Sequence, residues 1–208
     1  MPTSLRYIEP PAGFEGRLLA KLEWENPTGS MKDRMVPYCL ERAGEAGLLK
    51  RGDVIVEASS GNTGAALAAE GARRGHGVII CVSARISAKK RARLGELGAA
   101  VLEFDTSERD AEIGAASGLG KKQGHYFFNQ FENPWHVESY KNTLGRELAC
   151  QLDELGVSAD CLVAGVGTGG SLLGAAEALK VEHNARLKVY GAGPEECPTR
   201  IEGVHPGK

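Results

Sequence analysis

The chain has no excess charge of either sign. Its 25 Lys and Arg nearly balance 27 Asp and Glu, leaving a net charge of −2 over 208 residues. It therefore offers neither the basic surface that nucleic acid requires nor an acidic tail. Long hydrophobic runs are missing as well. No segment approaches membrane-spanning length, and Met1-Pro2-Thr3-Ser4-Leu5-Arg6 lacks the apolar core of a signal peptide. Cysteine is sparse: five residues, odd in number and scattered, with no C-x-x-C pair. That spacing argues against a disulfide framework or a zinc site and for a reducing, cytoplasmic setting. Cys81 and Cys161 fall inside apolar strand-like runs, where a small buried hydrophobe is expected. No internal repeat, low-complexity tract or linker interrupts the sequence. These absences exclude nucleic acid, membrane and metal as partners and leave an ordinary soluble globular protein.

What the chain does have is glycine, 28 of them, punctuating an alternation of short β-branched runs and longer helical ones. Strands are expected at 18–23, 53–57, 77–82, 100–104, 126–128, 161–164 and 187–190. Helices are expected at 33–46, 62–74, 87–97, 108–122, 136–155 and 171–182. Such alternation, with continuous apolar strands, predicts parallel sheet covered on both faces. Right-handed crossovers would then bring the strand ends to one edge, where ligands bind in open α/β folds.

Three turns follow strands and carry chemistry-bearing residues. In Asn26-Pro27-Thr28-Gly29-Ser30-Met31-Lys32-Asp33-Arg34, Pro27 and Gly29 force a turn and Ser30 is a good N-cap, placing Lys32 in a helix's first turn. A positive charge is disfavoured there, so the amine is expected to ionise less readily and to be a better nucleophile. In Gly165-Val166-Gly167-Thr168-Gly169-Gly170-Ser171, glycines free backbone N–H groups to close on an anion at a helix start. With no lysine or arginine in the turn, neutral donors would hold a phosphate. The same turn satisfies G-x-G-x-x-G through Gly165, Gly167 and Gly170, but the next strand ends without the acidic residue a dinucleotide site needs. In Glu57-Ala58-Ser59-Ser60-Gly61-Asn62-Thr63-Gly64, hydroxyls and an amide either cap a helix through Asn62 or Thr63 or cradle a carboxylate. A further turn, Asn129-Gln130-Phe131-Glu132-Asn133-Pro134, offers Gln130, by default an exposed turn residue. His125 and His136 have no ligand-spaced partners and are expected to be structural.

Together, Asn26–Arg34, Ser60-Gly61-Asn62-Thr63-Gly64, Gln130-Phe131-Glu132-Asn133-Pro134 and Gly165–Ser171 resemble the motifs of the fold-type-II pyridoxal-phosphate enzymes. The resemblance is closest to the cysteine synthase (O-acetylserine sulfhydrylase) and cystathionine β-synthase group, and the four motifs in family order cover nearly the whole chain. It implies an α/β, two-lobed, tryptophan synthase β-like architecture with parallel-rich sheets and helices on both faces. It implies Lys32 as the Schiff-base and catalytic lysine and Asn62 against the ring oxygen of pyridoxal 5'-phosphate. Gly167, Thr168, Gly169, Gly170 and Ser171 would hold the cofactor phosphate. Ser59, Ser60, Gly61, Thr63 and Gln130 would hold the substrate α-carboxylate. The implied reaction is β-replacement: an O-acetyl or O-phospho group leaves a serine derivative and a sulfur nucleophile takes its place, making cysteine or a relative. Ser59 stands where the family usually has threonine and Ala58 where proline is common.

The expected organisation is a larger, cofactor-phosphate-binding lobe from 1–36 and 146–208 and a smaller, substrate-binding lobe from 37–145. The family pattern runs on past Val204, into the part that carries the group facing the pyridine nitrogen. The larger lobe is thus expected to be incomplete, in a homodimer or completed by another chain. A truncated, non-catalytic relative that binds cofactor or a partner is the alternative function, and a dinucleotide-binding oxidoreductase a weaker one.

Overall fold

Apolar residues on both faces of a strand demand cover on both sides, and residues 54–83 receive it. The computed structural model describes residues 2–105 and 111–195. These divide into two units, one of residues 2–33 and 137–195, the other of the described residues from 34 to 136. The chain crosses between them at 33/34 and 136/137, not at the expected 36/37 and 145/146. Residues 137–145 belong with the first unit because they pack on its last helix, as described below.

In the second unit, β3 (Val54–Ala58), β4 (Gly77–Ser83), β5 (Ala100–Phe104) and β6 (His125–Phe127) form a parallel sheet in the order β5-β4-β3-β6. Val56 lies beside Ile79 and Phe127, and Ile55 beside Val78 and Tyr126. Helix α2 (Asn62–Arg74) covers the Ile55 and Val78 face, Gly71 permitting its close approach to both side chains. Helix α4 (Ala111–Gly120) covers the opposite face, where Ala116, Val56 and Cys81 form a buried cluster with Leu119 and Phe127 around it. Helix α3 (Ala88–Glu96) is capped by Ser87, whose Oγ accepts from the Lys90 N–H at 3.3 Å. Helix α1 (Lys32–Glu45) starts in the first unit and buries Met35, Val36, Cys39, Leu40 and Ala43. Of the helix expected at 108–122, residues 108–110 lie outside the described residues.

In the first unit, β1 (Leu5–Ile8) pairs antiparallel with β2 (Leu18–Lys21). The sequence reading missed β1 and carried β2 to Glu23, where the chain instead turns through the short 3₁₀ segment Glu23–Glu25. Lys21, on β2, binds Glu147 and Gln151 of α6 (Arg146–Glu154), and Gln151 donates to the Thr3 carbonyl at 2.9 Å. This network ties the strand that precedes Lys32 to a helix. The helix expected at 136–155 is broken: α5 (His136–Tyr140) passes through a π-helical turn, Lys141–Gly145, into α6. The widened turn faces α7 (Gly170–Glu182). A Cβ on Gly174 of α7 would stand 2.4 Å from the Val137 carbonyl and 2.6 Å from the Lys141 nitrogen. β7 (Cys161–Gly165) pairs in parallel only with β8 (Lys188–Ala192) among the described strands.

Two expectations fail here. The strands that lead into the three turns, β2, β3 and β7, belong to three separate sheets, so one shared sheet edge does not gather those turns. Cys161 is exposed rather than buried, because β7 has one covered face and alternates along its length, leaving Val163 62% exposed. No helix of the described residues is long and apolar enough to cross a membrane.

Two measurements check this packing. Gly174→Ala should lower the urea midpoint by an amount equivalent to about 1–3 kcal/mol, since backbone atoms cannot yield to the methyl. Gly114→Ala in α4, where the added methyl meets nothing within 4 Å, should raise stability by roughly 0.5–1 kcal/mol through helix propensity. Equal effects from the two would contradict the crossing. Among the described cysteines, a disulfide reagent should label Cys150 and Cys161 in the native protein. Cys39 and Cys81 should react only after unfolding, since burial pushes the Cys81 thiol up to about 11 with help from the Glu57 and Glu112 carboxylates.

Candidate active site

Each candidate segment lies where regular hydrogen bonding runs out, and the local bonds set what it can offer. In Asn26–Arg34, Gly29 takes φ 81° and its N–H donates to the Asn26 carbonyl at 2.8 Å. Thr28 donates twice to the Asp33 carboxylate, from its N–H at 2.8 Å and its hydroxyl at 2.7 Å. Asp33 thereby sits at the opening of α1, where an acid is favoured. Ser30 Oγ accepts from the Lys32 N–H at 3.2 Å, so Lys32 is the first residue of the helix. Its amine ionises less readily than an ordinary lysine, as expected, but the cause is burial rather than helix charge.

The glycine turn belongs to the same unit. β7 ends at Gly165, the Val166 N–H donates to the Ala192 carbonyl at 3.0 Å, and the chain enters α7 through Gly169 at φ 82°. Gly169 has no side chain to cap this 13-residue helix, and Thr168 and Ser171 flank its start in the sequence. That donor set suits an anion such as a phosphate without any cation. β8, Lys188–Ala192, contains no carboxylate at its end, which leaves the dinucleotide fingerprint without its ribose ligand.

The remaining residues lie in the second unit. The loop after β3 is held by Ser59, whose Oγ accepts from the Gly61 N–H at 3.4 Å and the Gly64 N–H at 3.3 Å. Neither Asn62 nor Thr63 provides the cap that the sequence suggested. Asn62 opens α2, Ser60 is exposed, and Thr63 donates its hydroxyl to Gln130 Oε1 at 2.6 Å. Gln130 is 7% exposed, not the exposed turn residue expected by default. Its carbonyl accepts from His136 Nδ1 at 2.7 Å, and its N–H donates to Glu57 Oε2 at 3.1 Å. The oxygen of the Gln130 amide is thus engaged, and its NH2 is what remains to offer a carboxylate. Ser59, still holding an O–H to donate, belongs to the same loop.

The structure therefore gathers Ser59, Gly61, Thr63 and Gln130 in one unit, with Ser59 bonded to Gly61 and Thr63 to Gln130, and places Lys32 and Gly167–Ser171 in the other. An amine whose pKa is lowered by burial and a helix start with glycine at its N-cap fit pyridoxal phosphate as a cofactor. Sequence reasoning missed Glu57, which is 2% exposed and binds the Gln130 turn. The available signal was a carboxylate in the otherwise apolar strand Val54–Ala58, directly before the serine-rich loop.

Comparison with known proteins agrees in sequence and in fold. A cysteine synthase of Staphylococcus aureus is 37% identical over 188 residues, 90% of this chain and 59% of that protein. The structure of an O-acetylserine-dependent cystathionine β-synthase from Helicobacter pylori superposes with a TM-score of 0.83 at 31% identity, covering 99% of this chain and 67% of that one. An O-ureido-L-serine synthase superposes with a TM-score of 0.89 at 29% identity over 98% of this chain and 67% of its own. The chain thus spans about 59% of the length of the curated relative. The profile of the pyridoxal-phosphate dependent enzymes matches residues 1–208, and the chain belongs to that family, with its fold-type-II architecture.

Proposed function

We propose that this chain uses pyridoxal 5'-phosphate in β-replacement on an activated serine, O-acetylserine or O-phosphoserine, with a sulfur nucleophile to make cysteine or a relative. The observation that carries the reading is the 2.6 Å bond from Thr63 to Gln130, residues 67 positions apart. It turns the serine-rich loop and Gln130 into one donor face, which an α-carboxylate requires and a dinucleotide site leaves unexplained. Bound pyridoxal phosphate would supply an electron sink for the substrate α-carbon. The chain's own residues would do the rest. Gly167, Thr168, Gly169, Gly170 and Ser171 would hold the phosphate with N–H and hydroxyl donors at the start of α7. Asn62 would donate its amide to the ring oxygen. Lys32, disposed by burial to the neutral amine, would hold the cofactor and move the α-proton. Ser59, Ser60, Gly61, Thr63 and Gln130 would fix the substrate carboxylate and with it the orientation of the α-carbon.

The two units then correspond to a cofactor-phosphate part and a substrate part. A cytoplasmic setting and assembly as a homodimer, or with another chain that completes the fold, belong to the same reading.

Two experiments test it. After incubation with pyridoxal phosphate and borohydride reduction, peptide mass mapping should find the adduct on Lys32, and Lys32→Ala should lose the yellow colour. Colour that persists in Lys32→Ala, reduced onto another lysine, contradicts the assignment. Gln130→Ala and Thr63→Val should keep the colour but weaken O-acetyl-L-serine binding by about tenfold to a hundredfold, the cost of a lost bond to a charged group. Unchanged binding in both would remove the carboxylate site.

A further inference from the structure

The parallel ladder between β3 and β6 ends abruptly. Its last rung is the Phe128 N–H to the Val56 carbonyl at 2.9 Å. The chain then turns through Asn129, which at φ 49° is the one non-glycine with positive φ among the described residues. The turn takes the next N–H groups out of reach of strand carbonyls, and buried N–H groups need partners. Glu57 supplies them. Its Oε2 accepts from the Gln130 N–H at 3.1 Å, its Oε1 from the Ala58 N–H at 2.9 Å, and the Asn129 N–H bonds to it as well. Glu57 forms no ion pair among the described residues, so these backbone donors are what hold its charge.

We propose that Glu57 is a positioning residue, whose carboxylate clamps the Asn129–Gln130 turn and so holds the Gln130 amide, with its Thr63 partner, in place for a substrate carboxylate. The inference rests on the β-replacement reading for its substrate role, though not for the clamp. Gln130 is fixed at three points: its N–H by Glu57, its carbonyl by His136 and its side-chain oxygen by Thr63. Only the first of these depends on a carboxylate. An ionised carboxylate accepts several N–H bonds at once. A protonated one turns an O–H toward the donors and loses at least one bond.

Burial pushes the Glu57 carboxyl up to about 7, against the opposing effect of the three N–H donors. The clamp is therefore engaged above that pH and released as pH falls through it. The other titratable groups that interact with it or its turn are Cys81 on β4, Tyr126 on β6 and His136 at the start of α5. The folded state binds this proton more tightly than the unfolded chain, so Glu57 subtracts stability as pH rises from about 4.5 to about 7. A glutamate kept only to stabilise the fold would behave in the opposite way.

The test uses the full chain and Glu57→Gln, which keeps the size and removes the second acceptor. In amide NMR of the parent, the Ala58, Asn129 and Gln130 N–H resonances should titrate together with a midpoint near pH 7, and in Glu57→Gln they should not. His136, present in both, is controlled by that comparison. At pH 8, on protein loaded with pyridoxal phosphate, Glu57→Gln should bind O-acetyl-L-serine about tenfold more weakly with unchanged cofactor colour. Its urea midpoint relative to the parent should improve between pH 5 and pH 8. Resonances that titrate independently of residue 57, or a variant that binds as the parent does, overturn the proposal. Joint titration in a parent that binds no O-acetyl-L-serine keeps the clamp, removes its substrate role and defeats the β-replacement reading instead.

Discussion

Backbone N–H groups left over where a strand or helix begins or ends are the constraint on which the rest of this molecule turns. At the start of α1 the Lys32 N–H goes to Ser30 Oγ. In the loop before α2, Ser59 Oγ takes two. Beyond β6, Glu57 takes those of Asn129 and Gln130. At α7 the position that would do the same is Gly169, which has no side chain to bring. Three of these ends are met by a side chain of their own loop or of the neighbouring strand, and the fourth has glycine at its N-cap. That contrast, more than the glycine count, is what suits the Gly167–Ser171 turn to the anion proposed for it.

Burial acts on the two central ionisable groups in the same sense, toward neutrality, and with opposite consequences for pH. Lys32 is a base held below its ordinary range, so the unfolded chain binds its proton more readily and its burial favours folding less as pH falls. Glu57 is an acid pushed up, so it favours folding less as pH rises toward 7. Free amine at Lys32 and carboxylate at Glu57 are both more abundant at higher pH. The pH that prepares both groups for the proposed chemistry is therefore one at which Glu57 weakens the fold, a conflict common where sites are built from buried charge.

The parts of the fold governed by local pattern were legible in the sequence. Helix α2 spans Asn62–Arg74 and strand β5 spans Ala100–Phe104, the ranges that periodicity indicated, because alanine-rich and β-branched runs with glycine at their ends leave few alternatives. What tertiary partners decide was not legible. β7 reads like β4, yet one is half exposed and the other covered, since apolar composition does not reveal how many neighbours a strand has. The π-helical turn Lys141–Gly145 answers the approach of Gly174, some thirty residues on, which no window of sequence contains. Of the candidate site, the motifs singled out Lys32, the Ser59–Thr63 loop, Gln130 and the Gly167–Ser171 turn. The bond between Thr63 and Gln130, and the glutamate behind it, needed coordinates.

Glu57 raises a question of its own, because its place asks for an apolar residue. It stands two residues after Ile55, buried in a strand otherwise without charge. A leucine there would bury without a desolvation penalty and would strand the Asn129 and Gln130 N–H groups, costing about 1–3 kcal/mol for each. A glutamine could accept one of them and would point a donor at another. A carboxylate alone meets several donors from one side chain. What it costs in desolvation, it returns as a Gln130 turn with a single geometry, in a residue strained to φ 49° at Asn129. The demand for several acceptors at one point, rather than charge as such, is what selects glutamate.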